Sequence, residues 1–234
     1  MDIPIIYEDN HLLVVEKPPN LIVQEDRSGD LDLLTLLKQD LKVRYQKPGN
    51  VFLGLVHRLD RPVGGVMVFA KTSKAASRIS NAIRLKDFHR TYLAVIRGKP
   101  QEKSARLEHY LIKDKQRNIV HATSPQIKQA KKAVLDFEIL EHRDELSLIS
   151  VTLHTGRSHQ IRVQLATHGF PLYGDQKYGS HVNRPGQQIA LWAHTLAFPH
   201  PTTKELMSFR SLPDLNIYPW DQWKTLKTDG VDHQ

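Results

Sequence analysis

The sequence predicts an α+β fold built around a largely antiparallel sheet. Strand-like runs outnumber helix-like ones, and they come as pairs separated by short polar turns. Helices do not alternate with them in the βαβ rhythm of a parallel sheet. The chain has 234 residues, 40% hydrophobic and 25% charged, which suits one folded domain over residues 1–234. No repeat, low-complexity segment or linker interrupts it.

Taken in order, Ile3–Tyr7 and Leu12–Val15 are short apolar runs split by the polar Glu8-Asp9-Asn10-His11, a turn between strands. Lys17-Pro18-Pro19-Asn20 ends the second, because proline cannot feed a ladder. Leu31–Tyr45 is helical, with Leu33, Leu34, Leu37 and Leu41 on one face, Ser28, Asp30 or Asp32 as cap, and Lys47-Pro48-Gly49-Asn50 as its stop. Leu55–Thr72 reads as an extended arm, a Pro/Gly turn and a buried strand. Thr72 or Ser73 then caps a helix over 74–86 whose stripe is Ala75, Ala76, Ile79, Ala82 and Ile83. In His89–Arg97 apolar residues occupy both parities, as in a strand covered on both faces. Residues 101–131 are polar and lysine-rich, with short strands expected around Leu107–Ile112 and Ile119–Ala122. Ala133–Leu140 and Leu146–Leu153 form a hairpin. Ser158 is positioned to cap a helix in which Ile161 and Leu165 repeat at i, i+4, and Gly169 and Pro171 stop it. Apolar runs at Pro171–Tyr173, Ile189–Phe198 and Glu205–Phe209 follow, and the tail beyond about 224 is polar and expected to fray.

The net charge of +8 and a pI near 9.6 favour a polyanionic partner such as nucleic acid. With no cysteine, disulfides and cysteine-held zinc or iron–sulfur sites are excluded. The N-terminus shows no signal-peptide pattern, and no window approaches the ~20 apolar residues of a membrane span. The expectation is a cytoplasmic monomer with no membrane association.

Three features carry chemistry. Asp60 stands in the turn of Leu55–Thr72 between Arg58 and Arg61, whose charges favour its anion, and an anionic carboxylate can act as nucleophile or base. A turn carboxylate merely paired with its neighbour remains an alternative. The segment GRSHQIR, Gly156–Arg162, sits at a strand-to-helix junction. Its Arg157 and Arg162 are cations that can meet a carboxylate or phosphate, whereas His154 and His159 lack a third ligand at metal spacing. Tyr92, midway along a strand, reads as a core tyrosine or as a ring on which a base could stack. The Gly64-Gly65 pair lacks the Lys-Ser/Thr ending of a phosphate loop, and no dinucleotide fingerprint is present, so no cofactor is implied.

Together these pieces resemble the RluA family of pseudouridine synthases. HRLD at His57–Asp60, before a glycine turn and a strand ending in AKT, resembles that family's catalytic motif. YEDNHLLVVEKPPNL is similar to its opening motif, HRTYLAVIRG to its tyrosine motif 32 residues after the aspartate, TGRSHQIRVQLATHGFPLYGDQKYG to its third motif, and LWAHTLAFPHPTTKELMSFRSLP to its closing segment. The resemblance runs in order from about residue 5 to residue 213. It implies a pseudouridine synthase fold, a mixed, largely antiparallel central sheet flanked by helices and loops with a catalytic cleft. It also implies isomerisation of uridine to pseudouridine in tRNA or rRNA, without cofactor or metal. Position by position it implies Asp60 as the catalytic carboxylate. Tyr92 would be the ring stacked on the uracil that takes the carbon-5 proton, and Arg162 the ion-pair partner of Asp60. Arg58 would help displace the base, with His57 and Arg157 on the RNA side, and Leu191 would wall the base pocket.

The chain departs from the family pattern at Val63-Gly64-Gly65, where Thr-Ser-Gly is common, at Gln164, where histidine is common, and at Pro19-Asn20, where Ala-Gly is usual. None of these removes a catalytic group. Many relatives carry a small RNA-binding domain ahead of this one, so the chain is expected to read a compact RNA by itself. Two other readings stand beside the enzyme. One is an RNA-binding protein with an inactive site. The other is a nucleoside hydrolase, which would need a second acid, with Glu16 and Asp175 as candidates.

Overall fold

The computed structural model describes residues 3–26, 28–223 and 225–226. Apart from residues 225–226, the polar tail expected to fray lies outside the described residues. The described residues form eleven strands, three α-helices and a short 3-10 turn, the α+β mixture the patterning predicts. Contacts divide the chain into two compact units: residues up to Arg90 with Ala193–Ser211, and Thr91–Trp192 with the residues from Leu212 onward.

The first unit holds β1 (Ile5–Glu8), β2 (Leu12–Lys17), β3 (Gly54–Leu55), β4 (Gly64–Ala70), and most of β10 (Leu191–Pro199), with β11 (Leu206–Arg210). Their order is β1-β2-β4-β10, with β3 on β4 and β11 on β10. Strand β2 runs antiparallel to β4 in a register that sets Lys17 opposite Gly65 and Val14 opposite Val68. All seven residues of β4 are buried, so it is a strand covered on both faces. Helix α1 (Leu33–Arg44) is capped by Asp32, one of three candidates, and buries Leu33, Leu37 and Leu41. Helix α2 (Ser73–Leu85) is capped by Thr72, whose hydroxyl accepts the Ala75 amide at 3.1 Å. It ends at Lys86 in the left-handed conformation. Its Ala75 and Ile79 pack against Leu12, Val14, Val66, Val68, Ala70, Phe198 and Phe209 in one apolar cluster. Burying such side chains contributes roughly 1.5–3 kcal/mol each for the larger ones, and this is what holds β4 and the arm before it in place.

The second unit is an antiparallel sheet ordered β5-β9-β8-β6-β7, made of β5 (His89–Arg97, from Thr91 on), β9 (Leu146–Leu153), β8 (Lys131–Arg143), β6 (Ser104–Asp114) and β7 (Ile119–Thr123). Residues 101–131, expected as short strands and exposed loops, instead carry the eleven-residue β6. Its polar residues alternate with buried Leu107 and Leu111, and pairing with both β7 and β8 extends it beyond what its apolar content signals. On one face Leu93, Val95, Leu146 and Leu148 pack with Tyr173, Trp192, Trp220 and Trp223. Helix α3 (Gln160–Thr167) sets Val163 against Leu111, Val120 and Ala133. Pro171–Tyr173 forms no strand, but Leu172 makes an isolated antiparallel bridge to Ile96.

Ser158 does not cap α3. The cap position is His159, at φ 52° and with no side-chain cap bond. Gln160 holds this entrance instead: its Oε1 accepts the Arg157 amide at 2.9 Å and the Thr155 hydroxyl at 2.7 Å, and its Nε2 donates to Val134 O at 3.1 Å. Among the described residues no helix is long and apolar enough to cross a membrane.

Candidate active site

In the first unit the arm of β3 pairs Gly54 with Ala70 and Leu55 with Phe69, and then leaves the sheet. His57 continues the pairing with its side chain: Val68 N–H donates to Nε2 at 3.1 Å, and the ring lies edge-on to Phe88, 5.3 Å between centroids. Burial, with the Arg90 cation beside it, pushes the imidazole down to about 3, so the ring is neutral and acts as a post for the arm. Three residues on, Val63 N–H donates to Asp60 O at 3.0 Å and closes the turn that carries the carboxylate. Arg58 is exposed, with Nη1 3.4 Å from Gln24 Oε1. Arg61 turns to Asp30 and forms an exposed ion pair at 2.6 Å. The flanking arginines therefore take separate partners.

The turn rests on a group that sequence reasoning passed over. Lys17, read only as the end of a strand, is fully buried, and its Nζ donates to Pro18 O, Arg61 O and Val63 O at 2.9, 3.0 and 2.8 Å. One ammonium thus ties the end of β2 to the residues that follow Asp60 in the turn. Burial, helped by Arg61 and opposed by the Asp60 carboxylate, brings it down to about 7. The sequence carries little signal for it, because Leu12–Val15 are apolar on both parities and buried on both faces, so alternation does not single out Lys17.

Gly65 completes this side. Its φ is +118°, and a Cβ there would lie 2.2 Å from Ala193 O in β10. Only glycine lets the two backbones meet this closely.

In the second unit, Tyr92 lies on β5 opposite Val151, with 6% exposure, and Leu191 opens β10 at 5%. Arg157 is exposed and donates to Lys132 O at 3.0 Å. Arg162 is buried on the first turn of α3. Its Nε and Nη2 fork onto Asp175 Oδ2 and Oδ1, both at 2.8 Å, and its guanidinium lies 5.2 Å from the centroid of the Tyr178 ring. Burial raises the Asp175 carboxyl, but the Arg162 fork and the amides of Lys177 and Tyr178 outweigh it and hold the group below the ordinary carboxylate range.

Both candidates for the second acid that a hydrolase would need are engaged. Asp175 is wholly enclosed in its pair with Arg162, and Glu16 accepts the Ser211 hydroxyl at 2.6 Å. Among the described residues, no three His, Asp or Glu groups stand where they could hold a metal.

Comparison with known proteins places the chain in a family. Residues 11–167 match the family model described as RNA pseudouridylate synthase. An uncharacterised RNA pseudouridine synthase of Bacillus subtilis, YhcT, is 33% identical over 209 residues, covering 88% of this chain and 67% of its own. The ribosomal large subunit pseudouridine synthase D of Vibrio vulnificus is 32% identical over 249 residues, covering 99% of this chain and 74% of its own. The solved structure of human RNA pseudouridylate synthase domain containing 1 superposes with a TM-score of 0.73 at 25% identity, over 94% of this chain and 87% of that one. The fold is that of RNA pseudouridine synthases, which are isomerases. The chain belongs to the RluA family of these enzymes.

Proposed function

We propose that the chain isomerises specific uridines in folded tRNA or rRNA, in the cytoplasm and as a monomer, with Asp60 as the essential carboxylate. In this reading the N-glycosidic bond of the target uridine breaks, the uracil turns, and its carbon 5 bonds to the sugar while the carbon-5 proton leaves. Atoms and electrons balance without oxidant or water. Asp60 acts as an anion on the sugar or the ring, Arg162 pairs with it, and Tyr92 stacks on the uracil and takes the proton. Leu191 walls the base. Arg58 enters the helix as the base leaves it, a displacement that costs a few kcal/mol and is offset by stacking and phosphate contacts. Arg157 meets phosphate. His57 serves by anchoring the arm.

The observation that carries the reading is the construction of the Asp60 turn. A fully buried lysine gives two of its three donors to carbonyls of this turn, Arg61 O and Val63 O, and the third to its neighbour Pro18 O, and a turn that only linked two strands would not require a charge to be buried beneath it. Two further facts agree with it. Arg58 is exposed rather than paired to a carboxylate, and the Asp175 fork takes Nε and Nη2 of Arg162, so that Nη1 stands outside that pair. The name of the Vibrio vulnificus relative supports ribosomal RNA as the target class. The +8 net charge suits a phosphate backbone, with binding that weakens as salt rises.

The test is to give the purified protein tRNA and rRNA labelled with tritium at uridine carbon 5. The proposal expects tritium in water without free uracil, from one or a few mapped positions. Tight binding with all label retained would make the chain an inactive binder, and free uracil would make it a hydrolase.

A further inference from the structure

We infer that Asp175 and Tyr178 are positioning residues for the reaction, holding the Arg162 guanidinium in one orientation. This rests on the proposal that Arg162 is the partner of Asp60.

Arg162 has four rotatable side-chain bonds and a planar head, so an ion pair made by one of its edges is only as well placed as the other edge is held. Here the other edge is held twice. Asp175 accepts Nε and Nη2 in a parallel fork with both distances 2.8 Å, which fixes the guanidinium in its plane. The Tyr178 ring, 5.2 Å away, lies against its face. The holders are themselves held. Asp175 Oδ1 also accepts the amides of Lys177 and Tyr178 at 2.9 and 3.2 Å, and Gly179 N–H donates to Asp175 O at 3.0 Å. The residues from Asp175 to Gly179 therefore form one closed turn. The Tyr178 hydroxyl accepts the Val120 amide at 2.9 Å, which leaves its own proton for His159 Nδ1, 2.6 Å away. That bond fixes the ring from above, and it draws the left-handed residue at the entrance of α3 into the same assembly.

Stability does not account for this arrangement. Enclosing a carboxylate and a guanidinium together gains little over apolar side chains of the same volume. Orientation does account for it, because the fork consumes the two nitrogens on one side and aims the third.

Single-turnover release of carbon-5 tritium tests this with wild type, Asp175→Asn, Arg162→Lys, the double variant, Arg162→Met and Tyr178→Phe. RNA affinity and melting temperature are measured on each. Asp175→Asn is expected to slow release roughly 10- to 100-fold, with RNA affinity within about twofold. In the Arg162→Lys background, where no fork exists to be oriented, the same change should cost less than about threefold. Tyr178→Phe, which keeps the ring and loses its anchor, should slow release roughly 3- to 10-fold while the protein stays folded with a melting temperature lower by only a few degrees, because the Val120 amide and His159 lose their partner, and it decides the matter if Asp175→Asn does not fold. A wild-type rate in Asp175→Asn, or an equal factor in both backgrounds, overturns the inference while leaving Arg162 in place. A wild-type rate in Arg162→Lys, which keeps the cation and loses the fork, also overturns the inference, whereas a wild-type rate in Arg162→Met removes the underlying reading of Arg162 and this inference with it.

Discussion

Gly65 is where the fold and the proposed chemistry can be probed with one methyl group. Gly65→Ala puts a Cβ 2.2 Å from Ala193 O and 2.6 Å from Ala193 N, both backbone atoms of β10, where neither partner can yield as a flexible side chain would. It also forces an L side chain into φ +118°, a conformation that costs roughly 1–3 kcal/mol. Overpacking adds about 1–3 kcal/mol more, so the expected loss is roughly 2–6 kcal/mol. For a chain of 234 residues, each kcal/mol moves the melting temperature by about 2–4 °C, and a mid-range loss lowers it by roughly 8–16 °C. Thermal and urea unfolding measure this directly. Gly49→Ala is the control, because its Cβ meets nothing within 4 Å and should change stability by less than about 0.5 kcal/mol. Gly65 lies opposite Lys17 and five residues after Asp60, so whatever protein stays folded should also isomerise uridine more slowly. A Gly65→Ala protein as stable as the Gly49→Ala control would refute the close approach of β4 and β10.

Three other outcomes follow from the same geometry. The Lys17 ammonium titrates near 7 in the fold and near 10.5 when unfolded, so above pH 7 the unfolded chain binds the extra proton. Stability should therefore rise with pH between about 7 and 10, by at most ~1.4 kcal/mol per pH unit, and Lys17→Met should lack this rise. Parallel stability curves for the two proteins between pH 6 and 9 would show that the three carbonyls keep the ammonium charged. Thr72→Ala removes the hydroxyl that caps α2 and should cost about 1 kcal/mol in urea unfolding, with no change in RNA affinity. Arg162→Met should bind RNA nearly as wild type does in a filter assay while turnover collapses, whereas loss of binding in step with activity would make Arg162 a phosphate contact.

The sequence shows the sheet most clearly where period and punctuation agree. The hairpin of β8 and β9, the buried β4 and the capped α2 stand close to where apolar spacing puts them, because each is decided by local patterning. Strand β6 extends further than its apolar content suggests, because pairing on both edges determines its length. The entrance of α3 differs for another reason. Ser158 is a good cap in isolation, but Gln160 competes for the same turn with two bonds and a reach to β8.

The candidate site divides in the same way. Asp60, Arg58, Tyr92 and Arg162 stand out as residue types in a recognisable order. Their supports do not, because a buried lysine under a turn, or an aspartate thirteen residues from its arginine, is a tertiary fact. Asp175 shows this best. In the sequence it is a candidate for the second acid of a hydrolase, and in the fold it is enclosed against a guanidinium.

Single-turnover tritium release by Asp60→Asn, on RNA labelled at uridine carbon 5, tests whether Asp60 carries out the proposed isomerisation. The substitution keeps the size of the side chain and removes its charge. Release should fall by about 10³-fold or more, with RNA affinity and melting temperature close to wild type. Release by Asp60→Asn at the wild-type rate would contradict that role for Asp60.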